Sequence, residues 1–227
     1  VDTFIDMHVE GIIACLAQDT IDYSHFEQLY DLGVPTVFFA RTCMPDKFSQ
    51  VVANGDEAAF EATMHLIETG SKRIAFIGGP NHLDMVKRRK HGYLQALKEA
   101  RIPIDRRLVV CDKIDFEVAR NATIQLLQSE DRPDAILAFN DIVTYAAFDA
   151  IKSLGMSIPE DVAIIGFTDG DTAAFVTPRL SAIMDQASVQ GMKACELLMK
   201  NINGDTRIYR EVVPMILKIR ESSEKNL

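Results

Sequence analysis

No stretch of this chain approaches the roughly 18 uninterrupted apolar residues of a membrane span, and no basic start followed by a short apolar core marks a secretory leader. Neither a membrane partner nor export is expected. Cysteine is scarce. The four present, Cys15, Cys43, Cys111 and Cys195, lie tens of residues apart without paired short spacing, which speaks against a disulfide framework or a zinc knuckle. They fit a reduced, cytoplasmic setting in which thiols serve as small buried hydrophobes. Positive charge is also in deficit: 24 Lys and Arg stand against 33 Asp and Glu, for a net charge of -9. A nucleic-acid surface needs clustered cations to replace the counterions of phosphates, so this segment is not expected to grip DNA unaided. Catalytic signatures are missing too. There is no Gly-x-Ser-x-Gly elbow, P-loop or His-Glu-x-x-His, and His8, His25, His65, His82 and His91 are scattered without ligand spacing. No metal, cofactor or nucleophile–base pair is expected. Short-period repeats and low-complexity tracts are absent as well.

What is present is alternation. With 227 residues, 48 % of them apolar and 25 % charged, the chain can bury a sizeable core. Three apolar runs, 73–77, 135–139 and 162–166, end in polar or glycine-rich residues and give way to helical periodicity. They read as strands of a parallel sheet covered on both faces. Further strands are expected at 11–17, 34–39, around 51–52 and at 108–111. Helices are expected over about 57–68, 85–100, 116–128, 141–154 and 187–202, with another around Phe26 to Leu32 stopped by Gly33. Pro214 cannot donate to a ladder, so 212–219 should form two short strands with a break between them, as at a passage between two lobes. Val1, Phe4, Ile5 and His8 fall at helical spacing, like the end of a longer helix, and a preceding segment is expected.

In open α/β sheets ligands bind beyond the carboxyl ends of the strands, which directs attention to Gly78-Gly79-Pro80, Asn140-Asp141 and Thr168-Asp169. Gly78-Gly79 could turn backbone N–H groups toward an anion, but Pro80 removes one donor and a plain turn is the simpler reading. The run Lys87-Arg88-Arg89-Lys90 reads as a solvated helix face. Arg89 differs from its neighbours, since Gly92 one turn later would let the helix sit close to the sheet and aim the guanidinium at the strand ends. Asn140 can present both a donor and an acceptor to a ligand or serve as the N-cap of the next helix, while Asp141 reads as the cap in preference. Phe116 is placed either to stack on a sugar ring or to staple its helix.

The ordered series Val34-Pro35 to Arg41, Asn54-Gly55-Asp56, His65 to Pro80, Arg89 to Tyr93, Pro133 to Asp141, Ile158 to Val162, Gly166-Phe167, Pro178 to Leu180 and Asp185-Gln186 resembles the effector-binding core of LacI-type transcriptional regulators. That core is itself similar to periplasmic sugar-binding proteins. The resemblance implies two doubly wound parallel-sheet lobes joined by three crossovers, with an effector in the cleft between them. The first lobe would hold 1–53 and 187–213, the second 54–186 and 214–220. By position, Arg89 and Asn140 match the family's effector-binding Arg and Asn, Phe116 a stacking aromatic, and Gln186 the polar residue at the second crossing; Arg41, Thr168 and Asp169 complete the expected site. Two positions depart from the pattern. Ala40 stands where an acidic residue often precedes Arg41, and Thr168 replaces the first aspartate of a Phe-Asp-Asp triplet. Both changes remove acceptors for sugar hydroxyls and favour an anionic effector over a plain hexose.

The resemblance further implies an upstream helix-turn-helix headpiece, absent from these residues, as the only contact with operator DNA, and a homodimer. It leaves the first lobe incomplete at its amino-terminal side, with a free strand edge expected to lower stability or promote irregular association. The expected function is ligand-controlled transcription, with a sugar-like effector. Two rivals stand beside it: the solute-binding subunit of a sugar transporter, and an α/β enzyme on sugars or nucleosides using Asp141 or Asp169 as base. Removing Arg89 is expected to abolish stabilisation by the effector and leave the unliganded protein almost unchanged.

Overall fold

A computed structural model describes residues 1–168 and 171–225. The chain divides into two compact units, one comprising Val1–Asn54 and Gln186–Pro214, the other Gly55–Asp185 and the residues from Met215 onward. The passages at 54/55, 185/186 and 214/215 lie one residue from the expected 53/54, 186/187 and 213/214. Gln186 and Pro214 therefore both belong to the first unit.

In chain order the first unit starts with helix α1 (Asp2–Asp6), strand β1 (Ile12–Ala14), α2 (Ser24–Asp31), β2 (Thr36–Phe39) and β3 (Ser49–Ala53). The second unit follows with α3 (Gly55–Glu68), β4 (Ile74–Gly78), α4 (Asp84–Glu99), β5 (Val109–Cys111), α5 (Phe116–Leu127), β6 (Ala135–Ala138), α6 (Asp141–Ser153), β7 (Ala163–Phe167) and β8 (Ser181–Met184). The chain returns with α7 (Ala187–Ile202) and β9 (Arg210–Val213), then ends in the second unit with β10 (Ile216–Lys218). Strands β9 and β10 are the two short strands expected around Pro214. Strand β1 is shorter than the 11–17 run, and β8 was not expected at all.

Among the described residues the first unit's sheet has the order β1-β2-β3-β9, every pair parallel. Its faces are covered differently. Phe26 and Leu29 of α2 pack with Phe38 and Phe48 on one side, and Ala194 and Leu197 of α7 pack with Val37, Val51 and Val213 on the other. Gly33, at φ +68°, takes the left-handed conformation that ends α2, which costs glycine nothing because it has no Cβ.

The second unit's sheet has the order β10-β8-β7-β6-β4-β5, with only β10 antiparallel. Strand residues alternate between two helical layers. Ala75, Ile77, Ile136 and Ala138 meet Ala119 and Leu127 of α5 and Val143 and Ala147 of α6. On the opposite face Phe76 stacks on Tyr93 of α4, ring centroids 5.6 Å apart, and the Tyr93 hydroxyl donates to Ile74 O at 2.8 Å. Burial on both faces is why these strands read as continuous apolar runs. From β4 the chain proceeds outward to β5 and then returns to β6 on the other flank of β4, so the order reverses between β4 and β6. Such a reversal opens a crevice at the carboxyl ends of the two strands.

Gly92 does not serve the sheet as expected. A Cβ there would lie 1.9 Å from Asp56 O and 3.0 Å from Phe60 N, so the missing side chain lets α4 touch the backbone of α3. The cysteine expectation also changes. Only Cys43 is buried, and burial pushes its thiol up to about 11. Cys15 and Cys195 are exposed and Cys111 is intermediate, because strand and helix positions near surface edges do not bury a side chain merely for being apolar.

The carboxyl-terminal residues strap the amino ends of the second sheet. Ser222 Oγ donates to Ile164 O and accepts from Ser181 N, and Ser223 Oγ lies 2.7 Å from Ser181 Oγ and 3.0 Å from His65 Nε2. Burial holds His65 below its ordinary value, against the opposing effects of Glu224, Glu68 and the Ser223 contact. A histidine kept neutral in the fold contributes stability that is complete above its unfolded pKa of about 6.5 and is lost as pH falls through the lower folded value. The fall in melting temperature from pH 7.5 to pH 5.5 is therefore smaller in His65→Gln than in the wild type, as thermal melts at both pH values will show. An equal fall in both proteins excludes His65 from acid destabilisation.

Candidate functional site

Arg89 lies at the carboxyl ends of β6 and β7 in the second unit. This residue comes from α4, whose buried face carries Val86, Arg89, Gly92, Tyr93 and Ala96 at helical spacing. Close packing of α4 on α3 presses the Arg89 stem toward Gly55, where a Cβ would sit 3.4 Å from Arg89 Cγ. The side chain is 6 % exposed. Its guanidinium donates from Nη1 to Phe139 O at the end of β6, with its carbon 3.9 Å from the Phe167 ring centroid and 4.9 Å from that of Phe139. Arg89 is thus not part of the solvated basic face. Arg88 beside it is, pairing with Asp84 at 2.7 Å. Planarity, delocalised charge and weak hydration let a guanidinium rather than an ammonium lie against two aromatic faces.

Asn140 follows Phe139 directly. Its Oδ1 accepts from Val143 N at 3.0 Å, making it the N-cap of α6. Asn140, not Asp141, therefore caps the helix, and Asp141 is its exposed first residue. Capping uses only the amide oxygen, and Asn140 Nδ2 has no hydrogen bond to the described residues. Thr168, 2 % exposed at the end of β7, donates from Oγ1 to Asp141 Oδ1, while its backbone N donates to Ile183 O at 3.1 Å. The ends of β6 and β7 thereby bring together Arg89, Asn140, Asp141 and Thr168, framed by Phe139 and Phe167. The pairing of Asp141 with Thr168 was not foreseen, because the two lie 27 residues apart in sequence.

Gly78 and Gly79 leave room for neighbouring side chains. A Cβ on Gly78 would lie 2.5 Å from the Phe76 ring, and one on Gly79 2.8 Å from Ile114. Phe116 is the first residue of α5, 39 % exposed and next to the cap Asp115, and makes no ring contact with Phe139 or Phe167 among the described residues. Asp169 lies outside the described residues. Arg41 and Gln186 belong to the first unit. Arg41 Nε donates to Leu16 O and its carbonyl accepts from Leu16 N, joining the chain beyond β1 and β2. Gln186 Nε2 donates to Pro214 O at 2.7 Å. Ala40, just before Arg41, has φ +56°, a left-handed conformation uncommon for a residue with a Cβ and no polar group to hold it. Among the described residues no cluster of His, Cys, Asp and Glu could hold a metal ion, and no helix is long and apolar enough to cross a membrane.

Comparison with known proteins shows the family. A family model described as periplasmic binding protein-like domain matches residues 63–223. The chain is 29 % identical over 209 residues to the HTH-type transcriptional repressor PurR of Actinobacillus pleuropneumoniae serotype 3, covering 92 % of this chain and 62 % of that protein. It is 30 % identical over 205 residues to the HTH-type transcriptional repressor CytR of Escherichia coli K12, covering 90 % and 59 %. It thus spans about three fifths of the length of these curated relatives. Among solved structures, the transcriptional regulator CelR–cellobiose complex is similar with a TM-score of 0.88 and 30 % identity, covering 97 % of this chain and 68 % of that one. The chain belongs to the periplasmic binding protein-like domain family, on the branch formed by the LacI-type transcriptional regulators.

Proposed function

We propose that this chain is the effector-sensing part of a transcriptional regulator, and that a small polyhydroxylated molecule binds at the strand ends of the second unit against Arg89 and Asn140. The observation that carries this reading is Arg89, a buried cation braced by two aromatic rings at the ends of β6 and β7, with Asn140, whose amide nitrogen capping leaves over, directly after the Phe139 that Arg89 contacts. Arg89 and Asn140 offer donors to ring and hydroxyl oxygens of a sugar, or to a carboxylate. Thr168, Asp169, Phe116, Arg41 and Gln186 are further candidate effector contacts on the strength of the family pattern. A relative solved with cellobiose supports the sugar class, and the repressor relatives favour a regulator over a transporter's solute-binding subunit.

An effector shifts DNA affinity only through its different affinities for two states of the protein, a coupling of typically about 1–3 kcal/mol. In this proposal the DNA contact belongs to a helix-turn-helix headpiece outside these residues, working as a cytoplasmic homodimer. The test is calorimetric titration with glucose, galactose, ribose and cellobiose alongside glucuronate and galacturonate. Saturable binding of one sugar class supports the reading, with the acidic member of each pair binding more tightly, since neither Ala40 nor Thr168 supplies a carboxylate. Tight binding of a neutral hexose alone removes the preference for anions, and no binding across the panel removes the sugar effector.

A further inference from the structure

The hydrogen bond between Thr168 and Asp141 has a consequence for selectivity, one that rests on the effector reading above. Asp141 stands at the first position of α6, exposed and directly after Asn140. Its Oδ1 accepts a hydrogen bond from the buried Thr168 hydroxyl. That single bond fixes the carboxylate over the end of β7 and leaves Oδ2 without a donor among the described residues. A carboxylate accepts about four hydrogen bonds and donates none when ionised. Arg89 and Asn140 Nδ2, by contrast, only donate. The strand ends therefore have a donor side and an acceptor side, carried by the consecutive residues Asn140 and Asp141.

We infer that Asp141 is a specificity-determining residue of the effector site, accepting a hydrogen bond from a hydroxyl of the ligand, and that Thr168 is the positioning residue that aims it. The ligand must then present a donor hydroxyl to Asp141 next to an oxygen that accepts from Asn140 or Arg89. Two vicinal hydroxyls of a sugar ring meet that requirement, each sugar oxygen being both donor and acceptor. An anionic group is repelled from the Asp141 side, so any acidic substituent is directed to the Arg89 side. Charge-assisted bonds of this type contribute more to discrimination than neutral ones, because the analogue lacking the hydroxyl leaves a desolvated charge unmatched.

The experiment titrates the 227-residue chain with the tightest-binding sugar of the panel above and with its monodeoxy analogues. In the wild type one deoxy analogue binds at least about tenfold more weakly than the parent. In Asp141→Asn the parent loses about tenfold in affinity, and the discrimination against that one analogue shrinks while the other deoxy analogues keep their rank. Thr168→Val weakens the parent in the same pattern and Thr168→Ser restores it, which a merely structural role for the hydroxyl would not reproduce analogue by analogue. Should Asp141→Asn melt far below the wild type, the Thr168→Val and Thr168→Ser pair decides alone. Wild-type selectivity retained in Asp141→Asn, or in Thr168→Val, overturns the inference and leaves the effector reading standing. A wild type that binds no sugar overturns both.

Discussion

Gly92→Ala lowers the melting temperature by on the order of 6–12 °C, the largest loss expected from any single methyl group in the second unit. The added Cβ would sit 1.9 Å from Asp56 O and 2.9 Å from Asp56 C. Those atoms belong to the backbone of α3, so no side-chain rotation relieves the overlap and one helix must move off the other. Overpacking against main chain costs about 3 kcal/mol, and at roughly 2–4 °C per kcal/mol for a chain of this size the stated fall follows. Gly191→Ala is the contrasting measurement. Gly191 lies in α7 with nothing within 4 Å of an added Cβ, so alanine there gains about 0.5–1 kcal/mol of helix propensity and raises the melting temperature. The same substitution thus has opposite signs in two helices. Equal and small effects at both positions would show that α4 does not rest on the α3 backbone. Because α4 also carries Arg89, Gly92→Ala weakens effector binding along with stability.

Arg89→Ala removes the effector response altogether. In the wild type an effector at about a hundred times its dissociation constant adds roughly 2.7 kcal/mol of stability, visible as a thermal shift. The variant shows none. Contrary to the expectation from sequence, the unliganded protein also suffers, by about 1–3 kcal/mol, because the guanidinium is buried against Phe139 and Phe167 and donates to Phe139 O. Arg89→Lys separates the two contributions. A lysine restores charge but not the planar fork, so it recovers part of the stability and little of the binding. An Arg89→Ala protein that keeps the full sugar-induced shift would place the effector elsewhere.

The parallel strands were legible because burial on both faces demands uninterrupted apolar residues, and β4, β6 and β7 carry almost nothing else. Helix periods were equally plain in α4, α6 and α7, and Pro214 marked its own break. Strand β8 escaped notice because Ser181-Ala182-Ile183-Met184 is four residues between a proline loop and a polar turn, too short for a periodic signal. Within the proposed site, Asn140 was singled out by its place directly after a strand, and Arg89 by the Gly92 that follows it and by the family pattern. Their surroundings were not legible, since Arg89 lies between rings contributed by positions 50 and 78 residues further along the chain.

The sequence by itself determined the alternation of strand and helix, the parallel sheet, the strand ends where chemistry gathers and, through an ordered series of motifs, the family. These are local or pairwise patterns, written in periodicity and spacing. The tertiary structure alone decided that Gly92 serves α3 rather than the sheet, that Asn140 and not Asp141 caps α6, and that Thr168 holds the carboxylate of Asp141. Each depends on which of two chemically competent neighbours faces a distant partner, and that choice is made by the packing of whole helices on a sheet.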